Sequence, residues 1–98
     1  MIDNLKPRCT AIVKVIDVNN TNIVMEDHKG FPLGESNLYC LSEMGELLWI
    51  AERPAPDAHY IRAKLETDGL RVSAYTTGRH AVDIDVKTGK LISQVAFR

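Results

Sequence analysis

Ninety-eight residues, 45% of them hydrophobic and 26% charged, suit a single small globular domain, and the length argues against a second one. Twelve basic against thirteen acidic side chains leave a formal charge of −1, so neither nucleic acid nor an anionic membrane surface is an expected partner. No segment approaches the roughly 20 apolar residues that cross a bilayer, and "MIDNLKPRCT" lacks the apolar stretch of a secretory signal, so a cytoplasmic location is expected.

Period-2 alternation and turn chemistry divide the chain into eight short strands, and no long 3.6-residue period competes with them. The first spans 9–17, with Ala11, Val13 and Val15 on one face and Ile12 and Ile16 on the other. "NNTN" at 19–22 supplies a polar turn, because Asn tolerates left-handed backbone angles and bonds its own backbone. A second strand follows at 23–27, then the first true loop, "HKGFPLGESN" at 28–37, with two glycines and a proline. Strand three covers 37–42 and strand four 47–51, with Gly45 giving the turn between them its backbone freedom. The stretch 34–52 also has a helical reading, since Leu38, Leu41, Leu48 and Ala51 recur near multiples of three and Ser36 stands where a cap would. Gly45 in its middle and the β-favouring Tyr39, Trp49 and Ile50 favour the hairpin.

"ERPAPDAH" at 52–59 breaks regular structure, because each proline lacks an amide donor and restricts the residue before it. It separates a first four-stranded unit (8–51) from a second (60–97). Strand five, 60–66, sets Ile61, Ala63 and Leu65 against Arg62, Lys64 and Glu66. Asp68 and Gly69 form a hairpin turn signal, after which strand six, 70–76, turns Leu70, Val72 and Ala74 inward. "TGR" leads into strand seven at 80–85, and strand eight at 91–97 completes the last hairpin. The expected fold is all-β: about eight short antiparallel strands in two four-stranded, blade-like meanders, packed as a sandwich or a small open barrel.

The two units repeat one hairpin. Leu41 aligns with Ile84, Ser42 with Asp85, Gly45 with Gly89 and Leu47 with Leu91, the second turn being one residue longer. In each copy an apolar strand ends in a side chain able to accept a bond from the turn, Gly closes the turn, and an apolar strand returns. "DIDVKTGKLIS" (83–93) and "YCLSEMGELLW" (39–49) resemble the blade hairpins of pyrroloquinoline-quinone-type β-propellers, and the signature is similar to that of small uncharacterised bacterial proteins. The first copy has Ser42 where the pattern has Asp, and the second has Ser93 where it has Trp. The resemblance implies a blade-like fold and carries no cofactor with it. Two such units fall short of the roughly 4–8 blades that close a propeller ring.

Chemistry is sparse. Asp83 and Asp85 share a strand face, but the segment lacks the dense oxygen-ligand spacing of a calcium site, so Asp85 reads as a turn brace and Asp83 as a strand surface residue. His28, His59 and His80 stand in separate segments with no metal-ligand spacing. Cys9 and Cys40 form no C-x-x-C pair, and Cys40, inside an apolar alternation, reads as a buried free thiol. Arg62, Lys64, Arg71, Ser73 and Tyr75 make a solvated sheet face, interrupted by Glu66. No catalytic, cofactor-binding or metal-ligating set is expected.

The expected role is therefore non-enzymatic, a homodimer or a module for a partner protein, because unpaired edge strands need cover and symmetric dimers are the commonest oligomers. Leu48 and Ile50, opposite Trp49, are the candidate interface. A first alternative is a small-ligand site between loops 28–37 and 52–59, using Phe31, Leu33, His59 and Tyr60. A second is a small hydrolase in which His80 and Asp83 point into one cleft.

Overall fold

The computed structural model describes residues 5–97. Its elements are β1 (Ile12–Val18), β2 (Thr21–Glu26), β3 (Leu38–Ser42), β4 (Leu47–Ile50), β5 (Tyr60–Leu65), β6 (Arg71–Thr76), β7 (His80–Asp85) and β8 (Leu91–Ala96). They form two four-stranded antiparallel meanders, β1-β2-β3-β4 and β5-β6-β7-β8. The sheets pack face to face and are not closed into a barrel. The described residues contain no helix, so 34–52 is the β3–β4 hairpin.

One core joins the sheets. Ile23, Leu38, Cys40 and Trp49 from the first meet Tyr60, Val72, Val82 and Ile84 from the second. Alternation explains β6 and β7, where Val72, Ala74, Val82 and Ile84 are buried and their neighbours are partly exposed. β2 differs: Asn22 through Glu26 are all buried, so this strand is covered on both faces.

The repeat survives at the level of register. Cys40 pairs with Trp49 and Leu41 with Leu47 across one bulge. Asp83 pairs with Ser93 and Ile84 with Leu91 across an equivalent bulge. The first strand of each sheet is also bulged, β1 between Ile12 and Lys14 and β5 between Tyr60 and Arg62. The turns match as well: Gly45 N–H donates to Ser42 O at 3.0 Å and Gly89 N–H to Asp85 O at 2.8 Å. Both glycines hold left-handed backbone, φ 85° and 75°.

Trp49 locks the two sheets. Its indole N–H donates to Val86 O at 3.0 Å, and its ring lies over Gly89 so closely that a methyl there would stand 2.4 Å from Cε3. The Glu52 amide donates to Gly89 O at 2.8 Å beside it. Asn37 makes a second bridge: its side-chain amide donates to Tyr60 O and accepts from Tyr60 N–H, both at 2.7 Å. A fully buried side chain thus completes the hydrogen bonding of the first residue of β5.

Four expectations need correction. The first strand begins at Ile12 rather than at 9, because the preceding segment leaves the sheet to bond Glu26. Val13 is 54% exposed, since the bulge takes it out of the alternation. Leu70 is 57% exposed, because it belongs to the turn before β6 and not to the inward row. The β1–β2 connection is also tighter than four residues, with Asn19 and Asn20 alone as its left-handed pair, at φ 50° and 60°.

Candidate functional site

Loops 28–37 and 52–59 do meet, but as a packed junction. Phe31 and Tyr60 are buried, and so is His59. Phe31 meets the His59 ring edge-on with centroids 5.6 Å apart, and His59 Nε2 lies 2.9 Å from Pro32 O. The Arg53 guanidinium donates to Leu33 O, Gly34 O and Ala58 O, tying the second loop to the first. The Tyr60 hydroxyl donates to Glu52 O, and burial pushes that phenol well above its ordinary range. Of the four residues, only Leu33 stays free, 69% exposed. The physical reason is competition for the same atoms: the polar groups a ligand would use are engaged in joining the sheets.

The His80 and Asp83 pair is not assembled. Residues three apart on a strand lie on opposite faces, and His80 shares its face with the core residues Val82 and Ile84. Asp83 lies on the outer face, accepting from Arg71 at 3.2 Å, Ser73 at 2.9 Å and Ser93 at 3.2 Å. Asp85 accepts from the Lys87 amide at 2.8 Å, the turn-bracing contact. Among the described residues no cluster of three His, Cys, Asp or Glu could hold a metal ion. Cys9 and Cys40 are both free thiols, the first exposed and the second buried.

Sequence reasoning missed Glu26. It sits on the outer face of the first sheet, fully buried, beneath the segment that precedes β1. Its carboxylate accepts from the amides of Arg8, Cys9 and Thr10 at 2.7, 2.9 and 2.8 Å, and from the Tyr39 hydroxyl. Burial alone would raise its pKa. The Tyr39 hydroxyl and the three amides outweigh that and hold the carboxyl below its ordinary value of 4.5. The same burial, with the carboxylate beside it, pushes the Tyr39 phenol well above its ordinary range. Arg8 lies over the Tyr39 ring at 5.4 Å. The signal was present in the sequence, because Ile23, Val24 and Met25 are apolar on both faces of one strand, a mark of two-sided cover.

The edge strands are β1 and β4 in the first sheet and β5 and β8 in the second, and of ten exposed large hydrophobics six lie on or beside β4 and β8: Leu47, Leu48, Ile50, Ile92, Val95 and Phe97. Leu48 and Ile50 are 51% and 43% exposed while Trp49 between them is buried. β8 has no fully buried residue, and Phe97 reaches Tyr75 on the same outer face, with centroids 5.8 Å apart. The two edges adjoin. Glu52, just after β4, accepts from the Leu91 amide at the start of β8 at 2.9 Å.

No family model, curated protein or solved structure matches this chain.

Proposed function

We propose that this protein is a non-enzymatic association module whose partner is a second copy of itself, docked along the outer-edge strands β4 and β8. The observation that carries the reading is the concentration of exposed Leu, Ile, Val and Phe on these two unpaired edges. Such edges are the parts of a sheet that other chains pair with unless they are blocked by charge or covered.

Charge favours one pairing. Residues 1–59 hold five basic and nine acidic side chains, while residues 60–98 hold seven and four. β4 is flanked by exposed Glu43, Glu46 and Glu52, and the β8 hairpin by exposed Arg79, Lys87 and Lys90. A two-fold arrangement sets β4 of each copy against β8 of the other, and because the two edges adjoin, both contacts form at once.

The test is molar mass by light scattering across a dilution series, for the native chain and for Leu48→Lys combined with Val95→Lys. A mass of two chains that falls on dilution, and is lost in the variant without loss of fold by circular dichroism, supports the reading. A native chain that stays monomeric at every concentration, or a variant that still pairs, overturns it.

A further inference from the structure

A cleft of about 580 Å³ opens between β1 and the β5–β6 hairpin. It opens where the first strands of the two sheets approach each other. Its volume is within the roughly 300–1,000 Å³ usual for small-molecule sites. Three cations line it, Lys14, Arg62 and Lys64, and no carboxylate does.

None of these cations is engaged as Arg53 and Arg71 are. Arg53 is spent on three carbonyls, and Arg71 is held by Asp68 at 3.0 Å and Asp83 at 3.2 Å. Among the described residues, Lys14 and Arg62 have no ion-pair partner, and Lys64 has only a loose contact of 3.9 Å with Glu66, its side chain 77% exposed. In a chain whose formal charge is −1, two unpaired cations and a loosely paired third around one concavity make a local positive field.

The bulges supply the second observation. The displaced residues are Val13 in β1 and Ile61 in β5, and both line this cleft. Each is followed at once by a cation, Lys14 and Arg62. Bulges re-aim side chains, and they recur beside binding sites. The duplicated sheets thus bring the same pair, an apolar residue and a cation, to one opening from two sides. Tyr75 on β6 adds an aromatic ring to the lining.

We propose that this cleft binds a small amphiphilic anion, a phosphate, sulfate or carboxylate on an aromatic or short alkyl body. Lys14 and Arg62 take the charged group, with Lys64 adding to the field, while Val13, Ile61 and the Tyr75 ring contact the apolar body. The mixture excludes a bare inorganic ion as the best ligand, since half the lining would then gain nothing. A neutral apolar molecule would gain nothing from the cations, which stay with water.

The experiment is an amide NMR titration of the full chain with 1-naphthyl phosphate, with inorganic phosphate and neutral 1-naphthol as separate arms. Saturable shifts centred on Val13, Lys14, Ile61, Arg62 and Tyr75, stronger for naphthyl phosphate than for either comparator, are the expected result. Lys14→Ala combined with Arg62→Ala should weaken binding by about tenfold or more, the loss of charged hydrogen bonds, while the rest of the amide spectrum is unchanged because both side chains are exposed. The proposal is overturned by absent or unsaturable shifts, by shifts as strong with 1-naphthol, by shifts centred on β4 and β8, or by a variant that binds as the native chain does.

Discussion

The turns at 42–46 and 85–90 close on the same chemistry and have opposite fates. Each starts from a side chain that accepts turn amides, Ser42 from Met44 and Glu46, Asp85 from Lys87. Each places a glycine in left-handed backbone. Yet a methyl on Gly45 would find nothing within 4 Å, while one on Gly89 would collide with Trp49. The difference is one of cover: Trp49 of the first sheet lies on Gly89 of the second, while no side chain lies on Gly45. A repeated backbone sets where contacts are available, and a single aromatic decides which of them is made. Sheet one docks onto sheet two, and sheet two has no equivalent anchor of its own.

Removing the anchor should have the largest effect. Trp49→Ala should cost about 3–5 kcal/mol, since it empties the inter-sheet contact and leaves Val86 O without its donor. Urea denaturation followed by circular dichroism reads this directly. It would also make the two turns alike, so that Gly89→Ala in that background should cost no more than Gly45→Ala does.

In the native background the two glycines should separate. Gly89→Ala combines left-handed strain with a clash against a ring, together about 2–4 kcal/mol. Gly45→Ala meets only the strain, about 1 kcal/mol. Equal losses would refute the contrast. The comparison of midpoints needs only two single variants and the same denaturation assay.

The outer faces differ too, and Glu26 tests that contrast. Its folded pKa is below the ordinary 4.5, so its contribution is complete above that value and is lost as pH falls through the lower, folded one. Melting temperature should therefore drop on acidification below about pH 4.5 more steeply in the native chain than in Glu26→Gln. Glu26→Gln should itself cost about 1–3 kcal/mol near neutral pH, because an amide group cannot accept from all four donors. Parallel pH profiles for the two proteins would show that the strap at 8–10 does not depend on the charge. Smallest of all, Ser93→Trp should shift stability by no more than about 0.5 kcal/mol, since it restores the aromatic where no glycine lies beneath it. Stabilisation comparable to that lost in Trp49→Ala would contradict the account of the lock.

Alternation made the strands legible, because most of them have one face in a shared core and one outside. The hairpin repeat was legible for a related reason: turn glycine and the bond-accepting residue before it are local chemistry. What local chemistry does not carry is cover from elsewhere in the chain. Glu26 reads as a surface charge until the amides of Arg8, Cys9 and Thr10, remote in sequence, are placed over it. His59 reads as turn surface for the same reason, its burial arising where two loops close on each other. The bulges at Val13 and Ile61 were equally hidden, since each extra residue is an apolar one that also fits a plain alternating strand. Leu48 and Ile50 needed none of this, because they lie opposite Trp49 by simple parity.

The two cysteines turn this architecture into a clock. Cys40 is paired across β3 and β4 with Trp49, 1% exposed, and burial raises its thiol above the ordinary range. An alkylating reagent therefore reaches it only while the sheets are parted, and its rate counts those openings. Cys9 sits exposed on the strap that covers Glu26, and reacts without any such event. One chain thus carries both a probe of its openings and a reference that reacts continuously beside it.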